Sequence, residues 1–230
     1  NISYGQIHNK NIINVADGVG AYGINGSTLT NDTTGKINIT TQGVGMAAFT
    51  SAGTLQTYGT DKKISDSTLP SFDNSGKLTL TGDETVGIVS KKATVTLSGT
   101  GSSDIIVGKK GIGVYAEKSP VTINSNYGIE IKDGGTGIFI KNDGSTLSSA
   151  SNELELKYSG SNTGTGVGLY YEGRTGANIT NGTNVKLVDI VGTNAGLVGL
   201  YTVGGGKLTN TARIAGDKGY GIITNGTEII

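Results

Sequence analysis

Gly111-Ile-Gly113-Val-Tyr115, then Pro120-Val-Thr-Ile-Asn124, then Gly128-Ile-Glu-Ile131 are three short alternating apolar segments, separated by small and polar residues within a span of 21 positions. Alternation with period two over four or five residues is the signature of a strand, and the intervening Ser, Asn, Lys and Gly supply the bends. The opening phrase, Gly-x-Gly-apolar-aromatic, recurs along the chain. Its copies centre on Gly20, Gly45, Gly87, Gly113, Gly137, Gly168, Gly199 and Gly221, at intervals of 25, 42, 26, 24, 31, 31 and 22 residues. Repeats of that length belong to stacked supersecondary units.

Other units follow the same grammar. After Gly18-Val-Gly20-Ala-Tyr22 come Ser27-Thr-Leu-Thr-Asn31 and Lys36-Ile-Asn-Ile-Thr40, and late in the chain come Lys207-Leu-Thr-Asn210 and Ala212-Arg-Ile214. No segment sustains a 3.6-residue period long enough for a helix. Three short strands per turn of about 24 residues predict an all-β fold, a right-handed parallel β-helix of about eight turns and roughly 40 Å. Residues 1–230 are expected to form one solenoid segment with an insertion loop at about 50–74, the source of the 42-residue interval. The first residues already look like late strands of a unit and Ile222 to Ile230 stop partway through another, so a longer parent chain is expected.

Composition removes several functional classes. Eighteen basic and eighteen acidic residues cancel and are scattered, which gives no phosphate-binding stripe, so nucleic acid is not an expected partner. Zero cysteines exclude a disulfide scaffold and thiolate metal sites. No run of about 18 apolar residues is present, and direct membrane insertion by this segment is not expected. No cofactor or metal is expected either. Gly18-Val-Gly20-Ala-Tyr-Gly23 matches the dinucleotide fingerprint literally but lacks the helix whose N-terminus would hold the pyrophosphate. Gly134-Gly-Thr-Gly137 starts like a calcium nonapeptide and continues Ile-Phe where an aspartate ligand belongs. The single histidine, His8, alternates with Ile7 and is expected to face solvent as an inert side chain.

Strand alternation applied to the repeat predicts that the apolar neighbours of each anchor glycine, such as Val19/Ala21, Val44/Met46, Val86/Ile88, Ile112/Val114, Val167/Leu169 and Val198/Leu200, point inward, leaving the glycines outside. Two positions after the glycine come Tyr22, Ala47, Val89, Tyr115, Phe139, Tyr170, Tyr201 and Ile223, an expected exterior ladder. Its aromatic rungs, Tyr22, Tyr115, Phe139, Tyr170 and Tyr201, serve either mutual stacking or as a ligand platform. Asn9, Asn31, Asn124, Asn181, Asn210 and Asn225 each close a second strand and predict an asparagine ladder. In the insertion, Tyr58, Asp61, Lys62, Lys63 and Phe72 offer a mixed charged and aromatic surface, the other candidate binding site.

The phrases Gly-Ile-Gly-Val-Tyr, Ser-Pro-Val-Thr-Ile-Asn and Gly-Ile-Glu-Ile, repeated without cysteine, resemble the passenger region of type V autotransporters, most similar to the large fusobacterial surface adhesins. That resemblance implies a β-helical rod at the cell surface, exported through the outer membrane, that adheres to host-cell or bacterial surface proteins or glycans without catalysis. Two alternatives stand beside it: a purely structural stalk of a virulence autotransporter, and a β-helical carbohydrate-active enzyme. The last would need the clustered carboxylates that the pattern does not offer.

Overall fold

In the computed structural model, residues 5–50, 57–58, 62–63, 69–141, 146–161, 164–189, 196–216 and 219–230 are described. The chain winds as an all-β parallel solenoid with no helix among these residues. One wall is an eight-stranded sheet of Gly18–Ile24, Gly43–Phe49, Val86–Lys91, Ile112–Glu117, Thr136–Lys141, Thr165–Glu172, Gly196–Val203 and Tyr220–Asn225, stacked in chain order. Hereafter it is called the glycine wall. The other two walls belong to one fifteen-stranded sheet, because Thr146–Tyr158 and Asn178–Asp189 each run through the corner between them as a single strand. Six of the eight glycine-wall strands are stacked on both sides, so the solenoid makes about six such turns, slightly fewer than the eight expected.

Each wall buries one face. Ile13, Ile37, Leu78, Ile105, Ile129, Leu156 and Leu187 align rung on rung. Ala21, Met46, Ile88, Val114, Ile138, Leu169 and Leu200 do the same on the glycine wall. Burial of such side chains, at about 25 cal/mol per Å² of apolar surface, drives the stacking. Parallel pairing lets each coil lie directly on its predecessor with like residues in contact.

The interior is where the glycine wall departs from plain alternation. Of the apolar pairs expected inside, only the second members are in the core row. Val19 is 47% exposed, and Val44, Val86, Ile112 and Val167 are half-buried on an outward column that includes Thr136 between Ile112 and Val167 and continues to the buried Val198 and to Tyr220. The anchor glycines face inward, together with the residue that follows: Gly113 and Val114 are both buried while Ile112 and Tyr115 are not. Two consecutive inward residues mark a bulge-like bend repeated in every coil. Glycine is required there because a Cβ on Gly87 would lie 2.5 Å from the Gly113 carbonyl oxygen of the next coil, and one on Gly45 2.6 Å from that of Gly87.

The asparagine ladder exists in two separate pieces. Asn9 Nδ2 donates to Asn31 Oδ1 and Asn31 Nδ2 to Asn74 Oδ1, both at 2.8 Å, and Asn74 Nδ2 donates to the buried Tyr127 hydroxyl, which closes the row. Asn181 donates to Asn210 at 2.8 Å in the second piece. The column of Asn31 and Asn74 continues through Leu97 and Ile123 to Ser149, whereas Asn181 stacks on Leu147 in the column of Val95 and Val121, one inward position earlier. Asn124 and Asn225 are exposed and belong to neither piece.

Candidate functional surface

The outward residues of the glycine wall form three columns. The first is the apolar column just described, from Val19 to Tyr220. The second is the ladder read from the repeat, and its rungs pair in the expected order: Tyr22 with Ala47, Ala47 with Val89, Val89 with Tyr115, then Phe139, Tyr170, Tyr201 and Ile223. Four successive rings stack. Centroids are 5.3 Å apart for Tyr115 and Phe139, 4.6 Å for Phe139 and Tyr170, and 5.3 Å for Tyr170 and Tyr201, with interplanar angles of 23°, 14° and 35°. The first two are offset-stacked and the third is tilted, and such aromatic pairs are worth about 0.5–1.5 kcal/mol each beyond simple burial.

Stacking also sets what the ladder can recognise. Each inner ring spends both faces on its neighbours, so Phe139 and Tyr170 present their edges to solvent, and a sugar ring has no open face to lie upon there. Tyr22 stands apart. It is 55% exposed and packs on Phe49, at 5.9 Å, rather than on its column neighbour Ala47.

The third column lies two residues beyond the second and was not singled out from the sequence. It runs Ile24, Phe49, Lys91, Glu117, Lys141, Glu172, Val203 and Asn225. Its middle alternates in sign. Lys91 Nζ lies 3.5 Å from Glu117 and Lys141 Nζ 3.2 Å from Glu172. The hydrogen bond and charge of Glu172 hold the Lys141 ammonium above its usual pKa. Burial, then Glu117, pushes the Tyr115 hydroxyl up, and burial, then Glu172, does so for Tyr170. The signal was legible in principle, since each charge follows its rung at a fixed offset of two.

Insertion residues divide differently from expectation. Phe72 is 1% exposed on the strand Ser71–Asn74, where it stacks between Leu29 and Val95 in the core. It is therefore a core residue and no part of a loop surface: the coil resumes by Ser71, and alternation within Ser71–Asn74 turns Phe72 inward. Thr57–Tyr58 and Lys62–Lys63 form a short antiparallel pair with Tyr58 opposite Lys62. Asp61 lies outside the described residues. His8 is exposed, as read. Gly18 to Gly23 lie within a strand, so the dinucleotide match has no helix to act through.

Compared with known proteins, the chain matches no family model, no curated protein and no solved structure. Among the described residues, no group of three or more His, Cys, Asp or Glu is placed to hold a metal ion, and no helix is long and apolar enough to cross a membrane.

Proposed function

We infer that this chain is a segment of a cell-surface adhesin of the autotransporter type, a non-enzymatic β-helical rod that adheres to host-cell or bacterial surface proteins or glycans. The observation that carries the reading is the glycine wall: eight parallel strands in strict register hold three continuous outward columns, a large regular surface built for contact along its length. A cysteine-free solenoid also suits export to the cell surface, since each turn forms on its predecessor from sequence-local contacts. Together with the repeat phrases, these features support an extracellular passenger.

The stalk alternative draws support from a specific feature. Ring faces committed to Tyr115, Phe139, Tyr170 and Tyr201 stacking favour stability over ligand capture at those four rungs. Beads coated with the 230-residue chain, scored for attachment to host cells and to other bacteria, separate the two. Adhesion above uncoated beads is expected, and its complete absence would leave the stalk. Replacing residues 52–68 by a short Gly-Ser linker, which spares the core residue Phe72, then asks whether the insertion does the binding. Release of reducing ends from a polysaccharide panel would instead establish the carbohydrate-active alternative.

A further inference from the structure

The glycine wall is complementary to itself under a two-fold rotation, and we propose that it docks onto a second copy of the same chain, rods antiparallel. Place the axis parallel to the strands, between Ile112–Glu117 and Thr136–Lys141, at the centre of the eight-stranded sheet. Each column then faces its own counterpart in reverse order. In the charged column Lys91 meets Glu172 of the second copy and Glu117 meets Lys141. A parallel arrangement needs an axis along the rod, which reverses the order of the columns and sets the charged column on the apolar one, and a slip of one coil in the antiparallel arrangement sets like charge on like, so the columns specify both direction and register.

The ladder obeys the same operation independently. Its two smallest rungs, Ala47 and Val89, come opposite Tyr201 and Tyr170, while Tyr115 faces Phe139 and Tyr22 faces Ile223. A small residue thus opposes a large ring at two of the four levels, with Ala47 already 3% exposed in its own chain. In the first column Val86 faces Val167 and Ile112 faces Thr136, while Val44 lies opposite Val198, which is 8% exposed in its own chain. Seven inter-strand steps of about 4.8 Å and a width of about five residues at 3.3 Å give about 550–600 Å² per copy. The total of about 1,100 Å² clears the roughly 1,000 Å² expected of a specific interface. The same wall carries the adhesin reading, and a dimer covers it, so the sedimentation experiment tests self-docking and the bead experiment tests adhesion, each with its own readout.

Sedimentation and light scattering of the chain should show a monomer–dimer equilibrium that weakens with salt. Lys141→Glu puts glutamates opposite one another at two symmetric places and should raise the dimer Kd at least about tenfold. Combining Glu117→Lys with Lys141→Glu restores opposite charges at both of those places, leaves the contacts of Lys91 with Glu172 untouched, and should recover the parent Kd within about threefold. Within one chain the single and double variants each have two like-charged neighbours and one opposite pair along the column, so a merely intramolecular role would not distinguish them. Cysteine placement tests the register without relying on charge. An equal mixture of Val86→Cys and Val167→Cys should form a mixed disulfide, while either variant alone stays uncrosslinked. A parent chain that remains monomeric at about 100 μM, a double variant no tighter than the single, or self-crosslinking of Val86→Cys would each overturn the proposal.

Discussion

A Cβ on Gly113 would lie 2.6 Å from the carbonyl oxygen of Gly137 one coil further on. The glycine of each repeat is thus a spacing device, held by the backbone of the next coil as well as by the core beside it. Gly113→Ala is expected to cost about 1–3 kcal/mol through overpacking. Gly221 occupies the same place in the phrase at the last rung, with nothing within 4 Å. Gly221→Ala should therefore fall within about 0.5 kcal/mol of the parent, or slightly stabilise it. Urea midpoints of the two variants decide the matter, and equal losses would refute the backbone-contact explanation.

Phe139 stacks on Tyr115 and Tyr170 together. Phe139→Ala severs two ring contacts, so a loss of about 1–3 kcal/mol is expected from the stacking alone. Phe139→Tyr keeps both contacts and should remain close to the parent. A Phe139→Ala protein that melts with the parent would mean that the ladder is decoration.

Asn74 joins Asn31 to the Tyr127 hydroxyl inside the corner. Its replacement by Ala leaves the Asn31 amide without its acceptor and the buried hydroxyl without its donor, an expected cost of about 2–4 kcal/mol. The exposed Asn124 follows its strand one residue beyond the position equivalent to Asn74, and Asn124→Ala should change stability by less than about 0.5 kcal/mol. Chemical denaturation of both variants is the check; comparable losses would mean that the buried row has no special role.

Stability should fall at both extremes of pH, from different residues. Burial, only partly opposed by the Asn74 hydrogen bond, raises the pKa of Tyr127 far above its ordinary value. With the folded value raised, its contribution is complete below about pH 10 and is lost above it, as the unfolded chain ionises first. At Glu155, burial pushes upward but is outweighed by hydrogen bonds and charge from Lys157 and Lys186, leaving the carboxyl below its usual range. That contribution is present above about pH 4.5 and is lost as pH falls through the lower folded value. Tyr127→Phe should flatten the alkaline limb and Glu155→Gln the acid limb of unfolding free energy against pH. Limbs unchanged by these substitutions would assign the losses elsewhere.

The vertical order of the rod was legible because the repeat phrase carries its own ruler. Tyr22, Ala47, Val89, Tyr115, Phe139, Tyr170, Tyr201 and Ile223 align as read, since any slip would take the core row from Ala21 to Leu200 out of stack. Horizontal orientation was less legible. A strict two-residue alternation assigns Val19 and Ile112 to the core, whereas the inward bend at each glycine spends two residues on one side and returns them to the exterior. Phe72 misled for a different reason: Leu55, Tyr58, Ile64 and Leu69 are scattered through the stretch before it without a strand period, so nothing marks where the insertion ends and the coil resumes. Asn124 follows Ile123, which holds the core position in its coil, and a one-residue offset of this kind is invisible without the paired strand.

The asparagine row has a direction. Every bond between side chains along it runs toward the later coil, from Asn9 to Asn31, Asn31 to Asn74 and Asn74 to Tyr127, and again from Asn181 to Asn210, whose own amide ends the second piece on the Ala212 carbonyl. Hydrogen bonds aligned head to tail add their dipoles, as peptide units do in a helix. Both pieces point the same way despite the coils between them. Along this one corner the rod is electrically polar, with amide oxygens turned toward its first coil and amide hydrogens toward its last, so its two ends are inequivalent in field as well as in sequence.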